Sequence, residues 1–124
     1  MKEAIVYKKV SFEAAHRLPN LPGDHPCNKR LHGHSYRVTL GIRGPIDPHY
    51  GWVIDFADIK RAFAPLNEQL DHSYLNEVEG LENPTCENLA CWIWDRLKPV
   101  LPGLFEIRIK ETDTVSCIYF GEDA

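Results

Sequence analysis

The stretch His32-Gly33-His34-Ser35-Tyr36-Arg37-Val38-Thr39-Leu40-Gly41-Ile42 decides the fold class. Successive side chains of a β-strand point to opposite faces. His32, His34, Tyr36, Val38, Leu40 and Ile42 therefore share one face, which is largely apolar. That alternation is the pattern of a half-buried strand. The segment from about residue 4 to 16 reads the same way: Val6, Val10, Phe12 and Ala14 lie on one face and His16 extends it. If the two strands pair, three imidazoles converge at the end of a buried surface. Three neutral imidazoles with an open fourth position suit a catalytic zinc ion. A single histidine near a strand end is commonly just structural; three in phase with apolar strand faces point to a metal.

The loop between these strands, Leu18 to Pro26, is rich in Pro and Gly. Beyond Gly51, Phe56, Ile59, Phe63, Leu66 and Leu70 recur at three- and four-residue steps, the apolar stripe of a helix capped by Asp55. Pro65 lies inside that stripe and should kink or divide the helix. A second helix starts after Asn83-Pro84, with Thr85 as cap and Cys86, Leu89, Ala90, Ile93 and Leu97 as its buried stripe. Pro99 and Pro102 stop it. Two strands close the chain: Phe105, Ile107 and Ile109 alternate with Glu106, Arg108 and Lys110, and Val115 to Phe120 returns. The order ββααββ predicts an α+β fold, a four-stranded antiparallel sheet with both helices on one face. Such a sheet leaves two open edges, which invites joining between subunits.

A chain of 124 residues forms a single domain, 1–124, and its 44% hydrophobic and 26% charged residues are ordinary for a globular protein. The net charge of −4 gives no reason to expect nucleic acid or an anionic membrane as partner. The N-terminus has no apolar signal-peptide core, and the apolar run Leu89–Trp94 is too short to span a bilayer. Four cysteines without CxxC spacing are expected to be reduced thiols of a cytoplasmic protein.

Other residues stand out beside the histidines. Cys27 lies five positions before His32 in a loop with Lys29 and Arg30, a setting for a surface thiol or for a thiolate base near a metal. Cys86 and Cys117 fall on buried-looking faces and are expected to pack as small apolar groups. His25 and His49 sit among Pro and Gly and are expected to be exposed. Asp71-His72 follows the first helix; a carboxylate that orients an imidazole supports a general base, although adjacent residues diverge in most backbone conformations. Glu111 continues the face of Phe105, Ile107 and Ile109, where a carboxylate without a partner is costly. It is either half of a structural salt bridge or a ligand anchor suited to a planar pair of donors.

Phe12-Glu13-Ala14-Ala15-His16, Cys27 followed by His32-Gly33-His34, Gly51-Trp52-Val53-Ile54-Asp55-Phe56, Leu70-Asp71-His72, Glu82-Asn83-Pro84-Thr85 and Lys110-Glu111-Thr112 follow one another over nearly the whole chain. In this order they resemble the 6-pyruvoyl-tetrahydropterin synthase family, most of all its 6-carboxy-5,6,7,8-tetrahydropterin branch of queuosine biosynthesis. The resemblance implies a tunnelling fold, in which strands of several subunits join into a barrel. It implies a homo-oligomer, a hexamer built as a dimer of trimers, with active sites shared between subunits. It also implies zinc on His16, His32 and His34, Cys27 as the proton-abstracting base, Asp71 with His72 as a second acid/base pair, and Glu111 with the Thr85 region as the pterin-binding residues. The implied activity is that of a lyase turning 7,8-dihydroneopterin triphosphate into 6-carboxy-5,6,7,8-tetrahydropterin, acetaldehyde and triphosphate. The rivals are a 6-pyruvoyl synthase, which eliminates triphosphate without carbon–carbon cleavage, an aldolase-like relative, and a non-catalytic zinc-binding protein. Four residues separate Cys27 from His32, one more than expected of the queuosine branch. Arg17, Lys29 and Arg30 are candidate triphosphate contacts, each more commonly explained as part of a solvated basic loop.

Overall fold

The computed structural model describes residues 1–122. Strand β1 (Glu3–His16) and strand β2 (His32–Pro45) pair antiparallel along their whole length, from Glu3 opposite Pro45 to His16 opposite His32. The alternation of the quoted stretch is realised: Tyr36, Val38, Leu40 and Ile42 are buried on one face. Helix α2 (Phe56–Leu70) and helix α3 (Cys86–Leu97) cover that face and add Ile59, Phe63, Leu66 and Leu70, and Leu89, Ala90, Ile93 and Leu97, to the same core. Burying one such aliphatic side chain contributes roughly 1.5–3 kcal/mol. Both helices begin as their sequences require, Asp55 accepting from the Ala57 N–H at 2.9 Å and Thr85 from the Asn88 N–H at 3.0 Å.

The sheet departs from the expected four antiparallel strands. It has five, in the order β3-β1-β2-β4-β5, where β4 is Leu104–Lys110 and β5 is Ser116–Tyr119. The added strand, β3 (Ser73–Tyr74), pairs parallel with Ala14 and Ala15 of β1, so the sheet is mixed. Two residues carry no alternation, which is why the sequence pattern passes over them. Helix α1 (Pro26–Lys29) is likewise a single turn inside the Pro/Gly-rich loop, capped by His25.

Three local expectations change. Helix α2 runs through Pro65 without dividing. Pro65 is exposed, so the carbonyl it leaves without an N–H partner lies on the water-facing side of the helix. Phe56, assigned to the buried stripe, is 54% exposed at the first turn. A bulge in the β2–β4 pairing at Gly41 and Ile42 puts Leu104, not Phe105, into the core. A side chain at position 41 would meet Glu106 Cγ at 2.8 Å and the Phe105 ring at 2.9 Å, so only glycine fits there.

Cys86 is buried as expected, and its Sγ lies 3.1 Å from that of half-buried Cys117, joining the start of α3 to β5. The sheet face away from the helices is open, with Ile5 and Tyr7 each 45% exposed. No helix among the described residues is long and apolar enough to cross a membrane.

Candidate active site

The β1–β2 register fixes the imidazoles. His16 stands opposite His32, and His34 lies one same-face step along β2, opposite Ala14. Ring centroids are 5.1 Å apart for His16 and His34, 6.3 Å for His16 and His32, and 6.4 Å for His32 and His34. The fourth member comes from the end of β4. Glu111 Oε1 is 3.2 Å from His16 Nε2 and 3.0 Å from His34 Nε2. Glu111 thus points inward, as its place in the strand pattern requires, and its partners are the histidines.

His16, His34 and Glu111 form the tightest donor group, with ligand atoms all within 4.8 Å of one another. His32 stands just outside it, its Nε2 4.0 Å from Cys27 Sγ. Imidazoles gathered in this way match the donors of catalytic zinc, which takes three histidines as well as two histidines with a carboxylate. One detail beyond the ligands supports the fit. The Nδ1–H of buried His16 donates to the Pro84 carbonyl at 2.8 Å, which turns Nε2 toward the centre. Such carbonyl-held imidazoles are the usual support of a metal ligand.

The charges in the site are interdependent. Burial disfavours the protonated form of His16, but the hydrogen bond to Glu111, the Pro84 carbonyl and the Glu111 charge together hold its pKa above the ordinary 6.5. Burial pushes His34 below its ordinary value, with the other two rings adding to this and the Glu111 charge opposing it. The His16 hydrogen bond, aided by the positive potential of the three rings and opposed by burial, holds the Glu111 carboxyl below the usual carboxylate range. The buried Tyr36 hydroxyl has no hydrogen-bond partner among the described residues. Tyr36 lies against the rings of His16 and His34. An unsatisfied buried polar group is expensive unless a ligand completes it.

Cys27 sits on the single turn α1, with its Sγ 4.0 Å from His32 Nε2. The loop around it is tied down. The Leu18 N–H donates to the Cys27 carbonyl at 2.7 Å, Asn28 Nδ2 to the Pro19 and Leu21 carbonyls, and Arg17 Nη1 to the Asn28 carbonyl at 2.8 Å. Arg17 is therefore committed to holding the loop. His25 is exposed, as expected, and caps α1.

Asp71 and His72 do pair, Oδ2 to Nδ1 at 3.0 Å. The backbone explains it: His72 is the one non-glycine with positive φ among the described residues, at 57°. That left-handed conformation is costly for an ordinary side chain, and it folds the imidazole back over its neighbour. Asp71 also accepts the Glu13 N–H at 2.9 Å; that bond first, then His72, lowers its pKa. The His72 side chain is 79% exposed, and the pair makes no hydrogen bond or ion pair with Cys27, Glu111 or the other histidines among the described residues. It opens on a cleft of about 440 Å³ that His34 also lines.

The Thr85 hydroxyl is engaged in capping α3, and its neighbour Pro84 reaches the site through the carbonyl. Thr85→Ala should lower stability by about 1 kcal/mol in thermal or urea unfolding, the usual cost of a lost cap. The sequence reading missed the Pro84 carbonyl and the unpartnered Tyr36 hydroxyl; only the position of Tyr36 on the histidine face hinted at the latter.

Residues 5–122 match the family model described as 6-pyruvoyl tetrahydropterin synthase. The chain belongs to the 6-pyruvoyl tetrahydropterin synthase family. Among curated relatives it is 42% identical to a 6-carboxy-5,6,7,8-tetrahydropterin synthase of Synechocystis, covering 94% of this chain and 93% of that one. It is 36% identical to the human 6-pyruvoyl tetrahydrobiopterin synthase, over 97% and 93% of the two chains. The solved structure of the Caenorhabditis elegans 6-pyruvoyl tetrahydropterin synthase superimposes with a TM-score of 0.91 at 31% identity, covering 98% of each chain. Family members of this kind are enzymes of pterin metabolism, and the mixed five-stranded sheet with its helices is the family's fold.

Proposed function

We propose that this protein is a zinc-dependent carbon–carbon lyase of the cytoplasm, converting 7,8-dihydroneopterin triphosphate to 6-carboxy-5,6,7,8-tetrahydropterin with release of acetaldehyde and triphosphate. The observation that carries a pterin site is the inward-facing Glu111 among His16, His34 and the unpartnered Tyr36 hydroxyl. Likeness to the Synechocystis enzyme supports the 6-carboxy product and a place in queuosine biosynthesis.

In this reading His16, His32 and His34 hold the ion. Bound there, zinc supplies Lewis-acid polarisation of the substrate's side-chain oxygens. Nε2 of His16 and of His34 face Glu111 at 3.2 and 3.0 Å; with an ion on the imidazoles, that carboxylate would be left to the substrate. Glu111 then accepts the paired N–H donors on the edge of the pterin ring, a bidentate contact that fixes the ring plane. The Cys27 thiolate removes a proton from the side chain next to the ring. Electrons move into the ring and triphosphate leaves; a water molecule then adds to the side-chain carbonyl next to the ring, and the carbon–carbon bond breaks to leave a carboxylate on the pterin while the departing two-carbon fragment takes a proton and leaves as acetaldehyde. His72, oriented by Asp71, moves protons at the side-chain hydroxyls. Positioning by Glu111 supplies a large share of the rate.

The Asp71–His72 pair makes no hydrogen bond or ion pair with its own chain's cluster among the described residues, and β1 has no strand partner on its outer edge from Ala4 to Phe12 among the described residues. Both features support a homo-oligomer, a dimer of trimers with sheets joined edge to edge, in which shared sites receive Asp71 and His72.

The test is product identification by mass spectrometry after incubation with 7,8-dihydroneopterin triphosphate. Acetaldehyde with the 6-carboxy pterin supports the proposal. A 6-pyruvoyl product without acetaldehyde selects the alternative that the human and nematode relatives favour. A pH dependence follows too. Because the His16 pKa is raised, its ring keeps a proton to a pH above 6.5, and the ion must displace that proton. Zinc affinity should therefore fall as pH drops through that range, by about tenfold per unit for each proton displaced. Calorimetric titrations at several pH values, with proton release measured, check it.

A further inference from the structure

His16 is the buried member of the cluster, and two segments converge to hold it. One is the end of β1, which carries it; the other is residues 82–85, whose Pro84 carbonyl accepts its Nδ1–H. Pro84 has no N–H of its own, so the placement of its carbonyl depends on its neighbours. On one side the Asn83 carbonyl accepts the Thr85 N–H and Asn88 Nδ2, both at 2.9 Å, which ties the segment to the start of α3. On the other side the tie is a single side chain, Asn76.

Asn76 follows β3, which runs parallel to β1 with Ser73 beside Ala14 and Tyr74 beside Ala15. The same register carried forward would set Asn76 beside Arg17. The backbone leaves the ladder there and turns into a short 3₁₀ helix, Leu75–Glu77. The Asn76 amide continues the ladder in its place. The Arg17 N–H donates to Asn76 Oδ1 at 3.0 Å, and Asn76 Nδ2 donates to the Arg17 carbonyl at 2.9 Å. Nδ2 also donates to the Glu82 carbonyl at 3.3 Å. These two acceptors match the two hydrogens of the amide nitrogen. One side chain thus joins the residue after His16 to the residue two before Pro84. Leu75 and Leu81, both fully buried, anchor its turn in the core. Arg17 in turn donates to the Asn28 carbonyl, in the loop that carries Cys27.

We propose that Asn76 is a positioning residue for the metal: by bridging Arg17 and Glu82 it holds the His16 backbone and the Pro84 carbonyl in fixed relation, and so aims His16 Nε2 at the ion. Asn76 itself touches neither ion nor substrate. The role rests on the reading of His16 as a zinc ligand, and not on which pterin product is formed. Two substitutions probe it. Asn76→Ala removes all three contacts. Asn76→Asp keeps the size and an acceptor for the Arg17 N–H, but sets a carboxylate against the Arg17 and Glu82 carbonyls.

The experiment is zinc competition against a chromophoric chelator, run on the purified full-length protein and on both variants. Ile59→Val, a core change in α2, is the stability control, since α2 supplies no member of the cluster. Thermal melts show that each variant is folded and give its loss of stability. Both Asn76 variants should bind zinc about tenfold more weakly, the low end of the loss that follows removal of outer support from a metal ligand. Ile59→Val should keep wild-type affinity despite its lower Tm. A second readout follows the ring itself. In ¹H–¹⁵N spectra of the zinc-loaded protein, the His16 Nδ1–H should exchange slowly with water in wild type and faster in both Asn76 variants. Wild-type zinc affinity and wild-type exchange in the Asn76 variants, or an affinity loss that Ile59→Val matches, overturns the positioning role. So does a wild type that binds zinc without His16. Turnover separates the two claims. If wild type forms no pterin product and the Asn76 variants still lose zinc affinity, the lyase assignment fails and the positioning role stands. If wild type turns over and the Asn76 variants keep their zinc affinity, the positioning role fails and the lyase assignment stands.

Discussion

Cys27→Ala should fold, keep its metal and lose turnover by a factor of roughly 10²–10⁴, the range supplied by a positioned base. The side chain is half-buried on a one-turn helix that contributes no buried residue to the core. Removing the thiol gives up only a 4.0 Å contact with His32 Nε2, so stability should change by less than about 1 kcal/mol. The loop that carries it is fixed by backbone and Asn28 contacts that the substitution leaves intact. The measurement is single-turnover product formation beside zinc content and a thermal melt. Full turnover with unchanged metal would remove Cys27 from the chemistry and leave it a surface thiol. Cys27→Ser tests the same point: a hydroxyl fills the space but is a far weaker acid than a thiol, so turnover should stay low.

His16→Ala should have the larger structural effect. The ring is buried, donates to the Pro84 carbonyl at 2.8 Å and meets Glu111 at 3.2 Å. Without it the Pro84 carbonyl loses its partner, and Glu111 keeps only His34. Each buried group left unsatisfied costs about 1–3 kcal/mol, so unfolding should be easier by several kcal/mol. Losing only a supporting contact of a metal ligand weakens metal binding 10–100-fold, and losing the ligand itself should exceed about 100-fold. His16→Gln restores bulk and a hydrogen bond but not the imidazole. It should recover part of the stability and little of the metal affinity, which separates the packing role from the ligand role. Normal zinc occupancy in both variants would show that the ion, if any, is held without His16.

Much of this site was legible because strand geometry is periodic. Once β1 and β2 were recognised by alternation, the common face of His16, His32 and His34 followed, and so did the inward direction of Glu111. What Glu111 would meet did not follow, because that depends on how far β4 slides along β2. The bulge at Gly41 and Ile42 sets that register, and no pattern in β4 alone announces it. The same bulge moved Phe105 out of the core. The family resemblance pairs Asp71 with His72, but local pattern does not: the contact goes with a left-handed φ at a histidine, which local preference opposes. Strand β3 and helix α1 are too short for periodicity to register. Pro65 was misjudged because an exposed helix carbonyl can turn to water. The contacts of Asn76 with Arg17 span 59 positions, so they became readable only with β3 in place beside β1.

The most direct measurement is anomalous diffraction at the zinc edge from crystals of the zinc-loaded protein. The account predicts one strong peak at the β1–β2 end, within bonding distance of Nε2 of His16 and His34 and with His32 drawn in, and the Glu111 carboxylate turned away from the ion. The absence of a peak between these rings, or an ion there whose every position is filled by protein ligands, would contradict it.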